Sequence, residues 1–168
     1  MEIAIRLEEE KDYRTTEELT REAFWNHHVP GCDEHLLLHN LRSRDEFIKE
    51  LDFVALYNNI IAGNIVYVKT KVKNKDAEHS VITFGPLSVL PEYQSKGIGS
   101  TLVKHTINLA KKMKYKAIII YGDPEYYKRF GFKESKEYRI TNENGLYPAA
   151  LLVMELYTGA LQGIEGIF

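Results

Sequence analysis

The sequence predicts a single domain with an α+β fold, in which helices flank a mixed sheet. The length of the chain supports the first part of this prediction and the order of its elements supports the second. The chain has 168 residues, which is the usual length of one compact domain, so we expect a single domain over residues 1–168. The hydrophobic period also changes along the chain: one strand and two helical regions precede three strands, and strand–helix units follow. Such an order is typical of an α+β protein with a mixed sheet.

The first half of the chain contains the elements from the first strand to the long strands of the sheet. Alternating apolar residues predict a strand over residues 3–7, and helical spacing up to Phe24 predicts a helix that Asp12 or Thr15 caps. A second helical region is expected over residues 34–51, with an interruption near residues 43–45. Strands are predicted over residues 53–57, 60–72 and 80–89, and the Gly85-Pro86 pair marks an edge or a bulge in the last of them.

The second half alternates strands with helices. A helix with one apolar stripe is predicted from Ile98 to Met113, followed by a fully apolar and therefore central strand over residues 117–121. A short helix is expected over residues 123–130, where Gly131 ends it. Two further strands are expected around residues 132–139 and 149–157.

Composition and charge exclude several classes of protein. The net charge of −2 argues against a general nucleic-acid binder, because such proteins carry a basic excess. Cys32 is the only cysteine, so neither an internal disulfide nor a thiol zinc site is expected, and we predict no metal. The chain has no run of 18 apolar residues and does not start with a signal-peptide pattern, so we expect a cytoplasmic protein without a membrane segment.

The most informative segment is the glycine-containing turn over residues 94–100, which lies at the start of the predicted long helix. Helix N-termini present unpaired N–H groups, and glycines let an anion approach the backbone closely. Residues 92–116 carry a net charge of +5, since six lysines oppose Glu92, which also favours an anionic ligand. The turn is neither a nucleotide P-loop nor a dinucleotide fingerprint, because the Gly-Lys-Ser/Thr ending and a third glycine are missing.

Two spaced motifs resemble those of the GNAT superfamily of acyl-CoA N-acetyltransferases. The first is Val89-x-Pro91-x-x-Gln94-x-x-Gly97-x-Gly99, and the second is Tyr126-Tyr127-Lys128-Arg129-Phe130-Gly131-Phe132. The segment from Gly122 to Tyr127 is most similar to a bacterial subgroup of predicted acetyltransferases. The resemblance implies a GNAT-type fold, with a central mixed, mostly antiparallel sheet of about seven strands flanked by about four helices.

The resemblance also implies roles for individual residues. The backbone amides from Gln94 to Ser100 would hold the CoA diphosphate, and the strand around Leu87 would pair with the pantetheine arm and stabilise the oxyanion. Tyr127 occupies the position of the tyrosine that protonates the departing CoA thiolate in this family. The residues expected to bind acetyl-CoA, the co-substrate, are Leu87, Ser88, Val89, Gln94, Ser95, Lys96, Gly97, Ile98, Gly99, Ser100, Asp123 and Tyr126.

Two departures from the family pattern leave some of the catalytic residues, above all the general base, unassigned. Ile120 occupies a position where many members have an asparagine, and residues 81–89 contain no carboxylate that could act as a general base. A water relay, a group from the N-terminal helices such as His28 or Glu34, or an amine that binds already neutral could replace that base. Without the resemblance, Tyr127 would be interpreted as a core aromatic residue. Cys32 could act as an acyl carrier only with a lowered pKa.

The leading hypothesis is therefore an enzyme that transfers an acetyl group from acetyl-CoA to a primary amine by direct attack in a ternary complex. The alternative is a non-catalytic acyl-CoA-binding sensor or interaction module, and a third hypothesis is a nucleotide or nucleic-acid binder. The acidic excess of residues 1–22, with eight acidic and four basic residues, either attracts a cationic amine or is a solvated surface. Homodimers are common in the family that the chain resembles, so a homodimer is one alternative for its assembly.

Overall fold

The structure, a computed structural model, describes residues 2–27 and 29–168. The α-helices are α1 (Tyr13–Phe24), α2 (Glu34–Leu41), α3 (Ile98–Lys112) and α4 (Pro124–Tyr127). The strands are β1 (Ile3–Leu7), β2 (Phe53–Tyr57), β3 (Ile60–Lys73), β4 (Glu78–Val89), β5 (Ala117–Tyr121), β6 (Lys133–Glu134), β7 (Ile140–Thr141), β8 (Leu151–Glu155) and β9 (Gly166–Ile167). The predicted α+β class is confirmed.

The residues group into two compact units. The first unit comprises Met1–Val68 and Gly85–Thr106, and the second comprises Lys69–Phe84 and Ile107–Phe168. Strands β3 and β4 each contribute residues to both units. The predicted turn over residues 94–100 lies in the first unit, and the tyrosine-rich segment lies in the second.

The sheet of the first unit is antiparallel. β1 pairs with β2, with Ile3 opposite Tyr57 and Leu7 opposite Phe53. β2 pairs with β3 through a register shift between Ala55 and Leu56. β4 follows β3 in the strand order, and the Leu90 N–H just after β4 donates to the Ala62 carbonyl at 2.9 Å. The strand predictions over residues 3–7, 53–57 and 60–72 are therefore confirmed.

Helix α2 is shorter than the sequence predicts. It ends at Leu41, after Leu38 and Leu41 have packed against Val66 of β3. Beyond it, Phe47 forms an antiparallel bridge with Val68, and the Ile48 N–H donates to the Tyr67 carbonyl at 3.0 Å. The interruption expected near residues 43–45 is therefore confirmed. The α-helix does not resume after it, because Phe47 and Ile48 bond to β3, and only a 3-10 turn forms over Lys49–Leu51.

Helix α1 also begins differently from the prediction. It starts at Tyr13, so Thr15 lies inside the helix, and the expectation that Thr15 caps it is wrong. Asp12 precedes the helix, but its carboxylate accepts hydrogen bonds from Arg6 at 2.6 and 3.1 Å and from the Glu9 N–H at 2.8 Å. The Asp12 side chain therefore secures the end of β1 rather than the first turn of α1.

The sheet of the second unit is mixed. β5 lies between β4, with which it is parallel at Ile82–Ile118, and β8, with which it is antiparallel. The run from Ala117 to Ile120 is buried on both faces, so the prediction of a central strand is confirmed. The core of this unit consists of Val72, Val81, Ala117, Ile119, Ile140, Leu151, Val153, Leu161 and Ile164.

The strand expected over residues 132–139 is mostly absent. Only Lys133 and Glu134 pair with β8, and a 3-10 turn covers Ser135–Tyr138. Arg139 ends that turn in the left-handed conformation, with a φ of 54°, which a continuous strand cannot contain. The expectation is wrong because the backbone after Glu134 forms this turn instead of continuing along β8.

A buried polar cluster joins β1, α1, α2 and the start of β2 in the first unit. Arg42 donates to Glu8 at 2.9 Å and to Glu17 at 2.6 Å, and Thr16 donates to Glu8. Asp52 is 2 % exposed, and it accepts a hydrogen bond from the Asn64 amide at 3.3 Å. Burial is the main cause that raises the pKa of Asp52 to about 9, and the nearby Glu8 carboxyl raises it further. The Asp52 carboxyl therefore keeps its proton to a higher pH in the folded protein than in the unfolded chain.

This protonation predicts how stability depends on pH. Because the pKa of Asp52 rises from 3.8 to about 9 on folding, the folded state holds a proton that the unfolded state loses between these values. The contribution of Asp52 to the free energy of unfolding should therefore fall as the pH rises from about 4 to about 9. Asp52→Asn, which is neutral at every pH, should remove this slope. Urea denaturation at pH 5, 7 and 9 measures it.

A matched control is Asp45→Asn, which changes an exposed carboxylate. We expect the stability difference between Asp52→Asn and the wild type to grow in favour of the variant with rising pH, and Asp45→Asn to follow the wild type. Parallel stability curves for Asp52→Asn and the wild type would show that Asp52 is ionised in the folded protein.

Candidate functional site

The turn before α3 is held in a conformation that presents backbone donors. Ser95 and Gly97 have positive φ angles of 60° and 82°. The first hydrogen bond of α3 runs from the Thr101 N–H to the Gly97 carbonyl at 3.0 Å, and the Thr101 hydroxyl donates to the same carbonyl at 2.7 Å. The N–H groups at the start of the helix precede this bond, and with the helix dipole they can bind an anion.

A second contact connects this turn to β4. The Gln94 side-chain amide donates to the Val89 carbonyl at 3.1 Å, and the Gln94 N–H donates to the Pro91 carbonyl at 3.3 Å. Residues 94–97 are exposed, whereas Ile98 is buried. The turn is therefore fixed at both ends while its middle is open to a ligand.

The start of α3 lies close to β3 because β3 has a glycine at the contact. A Cβ atom on Gly63 would lie 2.8 Å from Cγ2 of Ile98 and 3.1 Å from Cδ1 of Leu102. The first of these distances is shorter than Cβ atoms in proteins essentially ever show. Ile98 and Leu102 are fully buried at this contact. Gly63 was not among the predicted site residues, although an isolated glycine in a strand pattern is a known signal of close approach.

The end of β4 alternates between buried and half-buried residues. Pro86 and Ser88 are buried, and Leu87 and Val89 are half-buried. The Ser88 hydroxyl donates to Thr20 Oγ1 of α1 at 3.1 Å. The Ser88 side chain is therefore used for packing against α1, so that only its backbone is available to bind a ligand.

Asp123 and Tyr126 belong to the start of α4 in the second unit. Asp123 caps the helix, since its carboxylate accepts a hydrogen bond from the Glu125 N–H at 3.0 Å. The Tyr126 ring lies under the Arg129 guanidinium, 4.1 Å from its centroid, and near Phe130. It is nearly perpendicular to the adjacent Tyr127 ring, at a centroid distance of 4.9 Å.

The half-buried Tyr127 ring is surrounded by aromatic side chains. Its ring centroid lies 5.8 Å from that of Phe84 and 5.7 Å from that of Phe132. Burial raises the pKa of Tyr127, and the nearby Tyr126 and Asp123 raise it further. The phenol is therefore a neutral hydrogen-bond donor throughout the physiological pH range.

Gly122 is a second residue that the sequence prediction left without a role. A Cβ atom at Gly122 would collide with Cε2 of the Tyr127 ring and would lie 2.7 Å from Cδ2. The Gly122 N–H donates to the Ala150 carbonyl at 2.9 Å. The ring of Tyr127 thus lies directly against the backbone that follows β5.

The N-terminal candidates for a general base remain predictions or lie outside the described residues. His28 lies outside the described residues. Glu34 begins α2, and its carboxylate accepts a hydrogen bond from the Asp33 N–H at 3.1 Å. Removal from water raises the pKa of the Cys32 thiol, and the sulfur lies 3.4 Å from Nδ1 of His35. A raised pKa opposes thiolate formation, so Cys32 does not have the activation that an acyl carrier requires.

Over residues 2–27 and 29–168, no group of three or more His, Cys, Asp or Glu side chains is arranged to hold a metal ion. In the same residues, no helix has both the length and the apolar composition that crossing a membrane requires.

Comparison with known proteins assigns the central half of the chain. The model of the acetyltransferase (GNAT) domain matches residues 49–134. The uncharacterized N-acetyltransferase YhbS of Escherichia coli is 27% identical over 132 residues, which are 78% of this chain and 77% of YhbS. The uncharacterized N-acetyltransferase YjhQ of Escherichia coli is 29% identical over 83 residues, which are 49% of this chain and only 46% of YjhQ.

Solved structures extend the similarity to nearly the whole chain. The crystal structure of Escherichia coli YhbS in complex with CoA has a TM-score of 0.83 and 26% identity, covering 98% of this chain and 87% of that one. A GNAT family acetyltransferase from Brucella melitensis, solved with acetyl-CoA, has a TM-score of 0.73 and 24% identity over 92% of this chain and 88% of its own. At 24% identity, the similarity to the Brucella melitensis protein supports a shared fold and nothing further.

The buried hydrogen bond between Ser88 and Thr20 predicts a stability effect. Ser88→Ala should lower the free energy of unfolding by about 1 kcal/mol, because the buried Thr20 hydroxyl loses its partner. In the background of Thr20→Val, which removes that hydroxyl, the same substitution should cost less. A double-mutant cycle in urea measures the coupling, and additive effects would contradict the hydrogen bond.

Proposed function

Because the chain belongs to the GNAT acetyltransferase family, we propose that it transfers an acetyl group from acetyl-CoA to a primary amine by direct attack in a ternary complex. The whole chain, residues 1–168, acts as one N-acetyltransferase domain in this proposal. The observation that carries it is the likeness to the CoA complex of YhbS, which extends over 98% of the chain. The geometry of the turn before α3 and the environment of Tyr127 support it independently.

The turn over residues 94–100 has the properties that binding the CoA diphosphate requires. It is exposed, it is followed by the buried start of a 15-residue helix, and it offers N–H groups that precede the first helical hydrogen bond. Lys96 adds a cation within the turn. The diphosphate would therefore meet both directed donors and a positive charge.

The backbone of β4 binds the thioester arm in this proposal. Leu87 and Val89 are half-buried, whereas the intervening Ser88 side chain is buried against α1. The strand can therefore use its backbone groups for a ligand while its Ser88 side chain keeps it in place. The amide of Leu87, or one next to it, would donate to the oxyanion that forms when the amine attacks the thioester carbonyl.

Tyr127 would donate a hydrogen bond or a proton to the leaving group. When the oxyanion intermediate collapses, the carbonyl re-forms and the carbon–sulfur bond breaks. Its electron pair goes to sulfur, which accepts a hydrogen bond or proton from the Tyr127 hydroxyl. The raised pKa of Tyr127 keeps that hydroxyl protonated, as a donor must be. It also makes complete proton transfer to a thiolate unfavourable, because a free thiol has a pKa of about 8.5. We therefore expect a modest contribution from Tyr127.

The proton of the attacking amine requires a different route. Residues 81–89 contain no carboxylate, and the pKa of the Cys32 thiol is raised. We propose that the amine binds in its neutral form and that its surplus proton passes to water. This route needs no general base from the chain.

Turnover separates this proposal from a non-catalytic acyl-CoA-binding module. The purified protein is incubated with acetyl-CoA and a broad panel of primary amines, and free thiol is measured together with the acetylated product. Product formation with at least one amine supports the enzyme. Tight CoA binding, measured by calorimetry, without product from any amine would favour the module.

Replacement of Gly97 tests the diphosphate site. A β-branched residue is strained at the φ of 82° found at Gly97, so Gly97→Val should realign the amides of the turn. We expect the Kd for CoA to rise at least about tenfold, which corresponds to about 1.4 kcal/mol. Calorimetry with CoA measures it.

The matched control is Gly163→Val. Gly163 has a similar φ of 75°, and like Gly97 it has open space where a Cβ would lie. Its substitution carries the same backbone penalty at an exposed turn that has no proposed role. Equal CoA affinities for folded Gly97→Val and Gly163→Val would remove the turn from the binding site.

Replacement of Tyr127 tests the proposed acid. Tyr127→Phe removes the hydroxyl but retains the ring, so that its contacts with Phe84 and Phe132 should persist. We expect kcat to fall about a hundredfold, the lower end of the range for general-acid catalysis, because a thiolate is already a good leaving group. The KM for acetyl-CoA should change little. Steady-state thiol release measures both constants.

Tyr126→Phe is the control for this substitution, because the Tyr126 ring lies under Arg129 and perpendicular to Tyr127. It should retain nearly full activity. A slow Tyr126→Phe variant beside a normal Tyr127→Phe variant would assign the acid to Tyr126 instead.

A further inference from the structure

The residue directly after β5 lies against the ring of Tyr127. A Cβ on Gly122 would collide with Cε2 of that ring and would lie 2.7 Å from Cδ2. The ring atoms are rigidly linked, so the neighbour cannot yield by moving the end of a flexible chain. In the observed ring position, residue 122 therefore has to be glycine.

The backbone conformation does not explain the glycine. The φ angle of Gly122 lies outside the left-handed region, so an alanine could adopt it. Several other glycines of the chain differ in this respect: Gly97 and Gly163, for example, have positive φ angles and open space in the direction of a Cβ. Glycine is therefore required at position 122 because it has no side chain, and not because it can adopt a positive φ angle.

The other sides of the Tyr127 ring are also occupied. Phe84 and Phe132 lie at centroid distances of 5.8 and 5.7 Å, and Phe130 and Tyr126 lie at 6.2 and 4.9 Å. The Tyr127 N–H donates to the Asp123 carbonyl at 3.0 Å, which fixes the backbone of the residue. With the backbone held and four rings around it, the Tyr127 ring can move away from a Cβ only by displacing these neighbours.

We propose that Gly122 is a positioning residue for the acetyl-transfer reaction, because its missing side chain sets the place of the Tyr127 ring and hence of its hydroxyl. The inference rests on the proposed role of Tyr127 as the proton donor to the leaving thiolate. Gly122 itself touches neither substrate nor reacting atoms in this proposal. A Cβ at residue 122 displaces the ring, and the hydroxyl at its far end moves with it.

The kinetic test compares the wild type with Gly122→Ala, Tyr127→Phe and the double variant. Gly122→Ala should lower kcat about tenfold to a hundredfold, since small misplacements of catalytic groups cost that much, and leave the KM for acetyl-CoA unchanged. In the Tyr127→Phe background the same substitution should not lower kcat further, because the hydroxyl is already missing. A wild-type kcat for Gly122→Ala, or an equal loss in both backgrounds, would overturn the inference.

A second measurement does not depend on activity. Gly122→Ala should lower the Tm by about 5 °C through overpacking, and the loss should disappear in the Tyr127→Ala background, where no ring is present. Gly63→Ala is the matched control: its Cβ would meet Ile98 at 2.8 Å, so its Tm loss should persist when Tyr127 is alanine. A Tm loss for Gly122→Ala that also persists in the Tyr127→Ala background would overturn the inference.

The two measurements distinguish failure of this inference from failure of the proposed function. Full activity of Tyr127→Phe would refute the acid role, whereas a slow Tyr127→Phe beside a normal Gly122→Ala would refute only the positioning role. If no amine is acetylated, the Tm cycle alone decides whether Gly122 sets the ring. If Gly122→Ala does not fold, folding of Gly122→Ala/Tyr127→Ala supports the inference, and failure of both variants to fold overturns it.

Discussion

The close contact between α3 and β3 at Gly63 is the constraint on which the proposed cofactor site depends. Ile98 and Leu102 lie where the side chain of any other residue at position 63 would be, and both are fully buried. Ile98 is also the first residue of α3, so the depth at which it packs sets the position of the turn before it. The N–H donors of that turn therefore lie where the contact with Gly63 places the start of the helix.

In the second unit a glycine also allows a close approach, which there places an aromatic ring instead of a helix. Gly122 lets the Tyr127 ring lie against the backbone after β5, where Phe84 and Phe132 surround it. Burial among these rings removes water from the phenol and raises its pKa, so the group is suited to donate a hydrogen bond rather than to lose its proton. A tyrosine in such a place assists a leaving thiolate mainly through that hydrogen bond, which agrees with the modest rate effect that we expect.

The N-terminal region is stabilised by buried charge rather than by apolar packing alone. Arg42 bonds to Glu8 and Glu17 and lies over the Tyr13 ring at 4.0 Å, which joins α2 to β1 and α1. Burial and the nearby Glu8 carboxyl both raise the pKa of Asp52, so the two buried carboxyl groups can lie near each other without both being charged. Removal of one member leaves an uncompensated buried group, so this cluster fixes how α1 and α2 lie on the sheet. Through α1 it also supports Thr20, which holds Ser88 of β4.

The sequence alone determined the fold class, the order of the main elements and the family. Local signals were sufficient for these, because the period of apolar residues distinguishes strands from helices and the two glycine and tyrosine motifs have fixed spacings. The tyrosine pair could also be placed on a short helix, and the glycine turn at the start of a long one.

In segments where local sequence signals compete with contacts to distant residues, only the tertiary structure decided the conformation of the chain. The expected helix after Leu41 gives way because Phe47 and Ile48 bond to β3, and the expected strand after Glu134 gives way to a turn. The importance of Gly63 and Gly122 was likewise hidden, since each glycine is explained by a side chain that folding brings against it. The pKa values of Asp52 and Tyr127 are likewise raised mainly by burial, which only the folded structure produces. Close approach and burial are properties of the assembled core, which no short window of sequence contains.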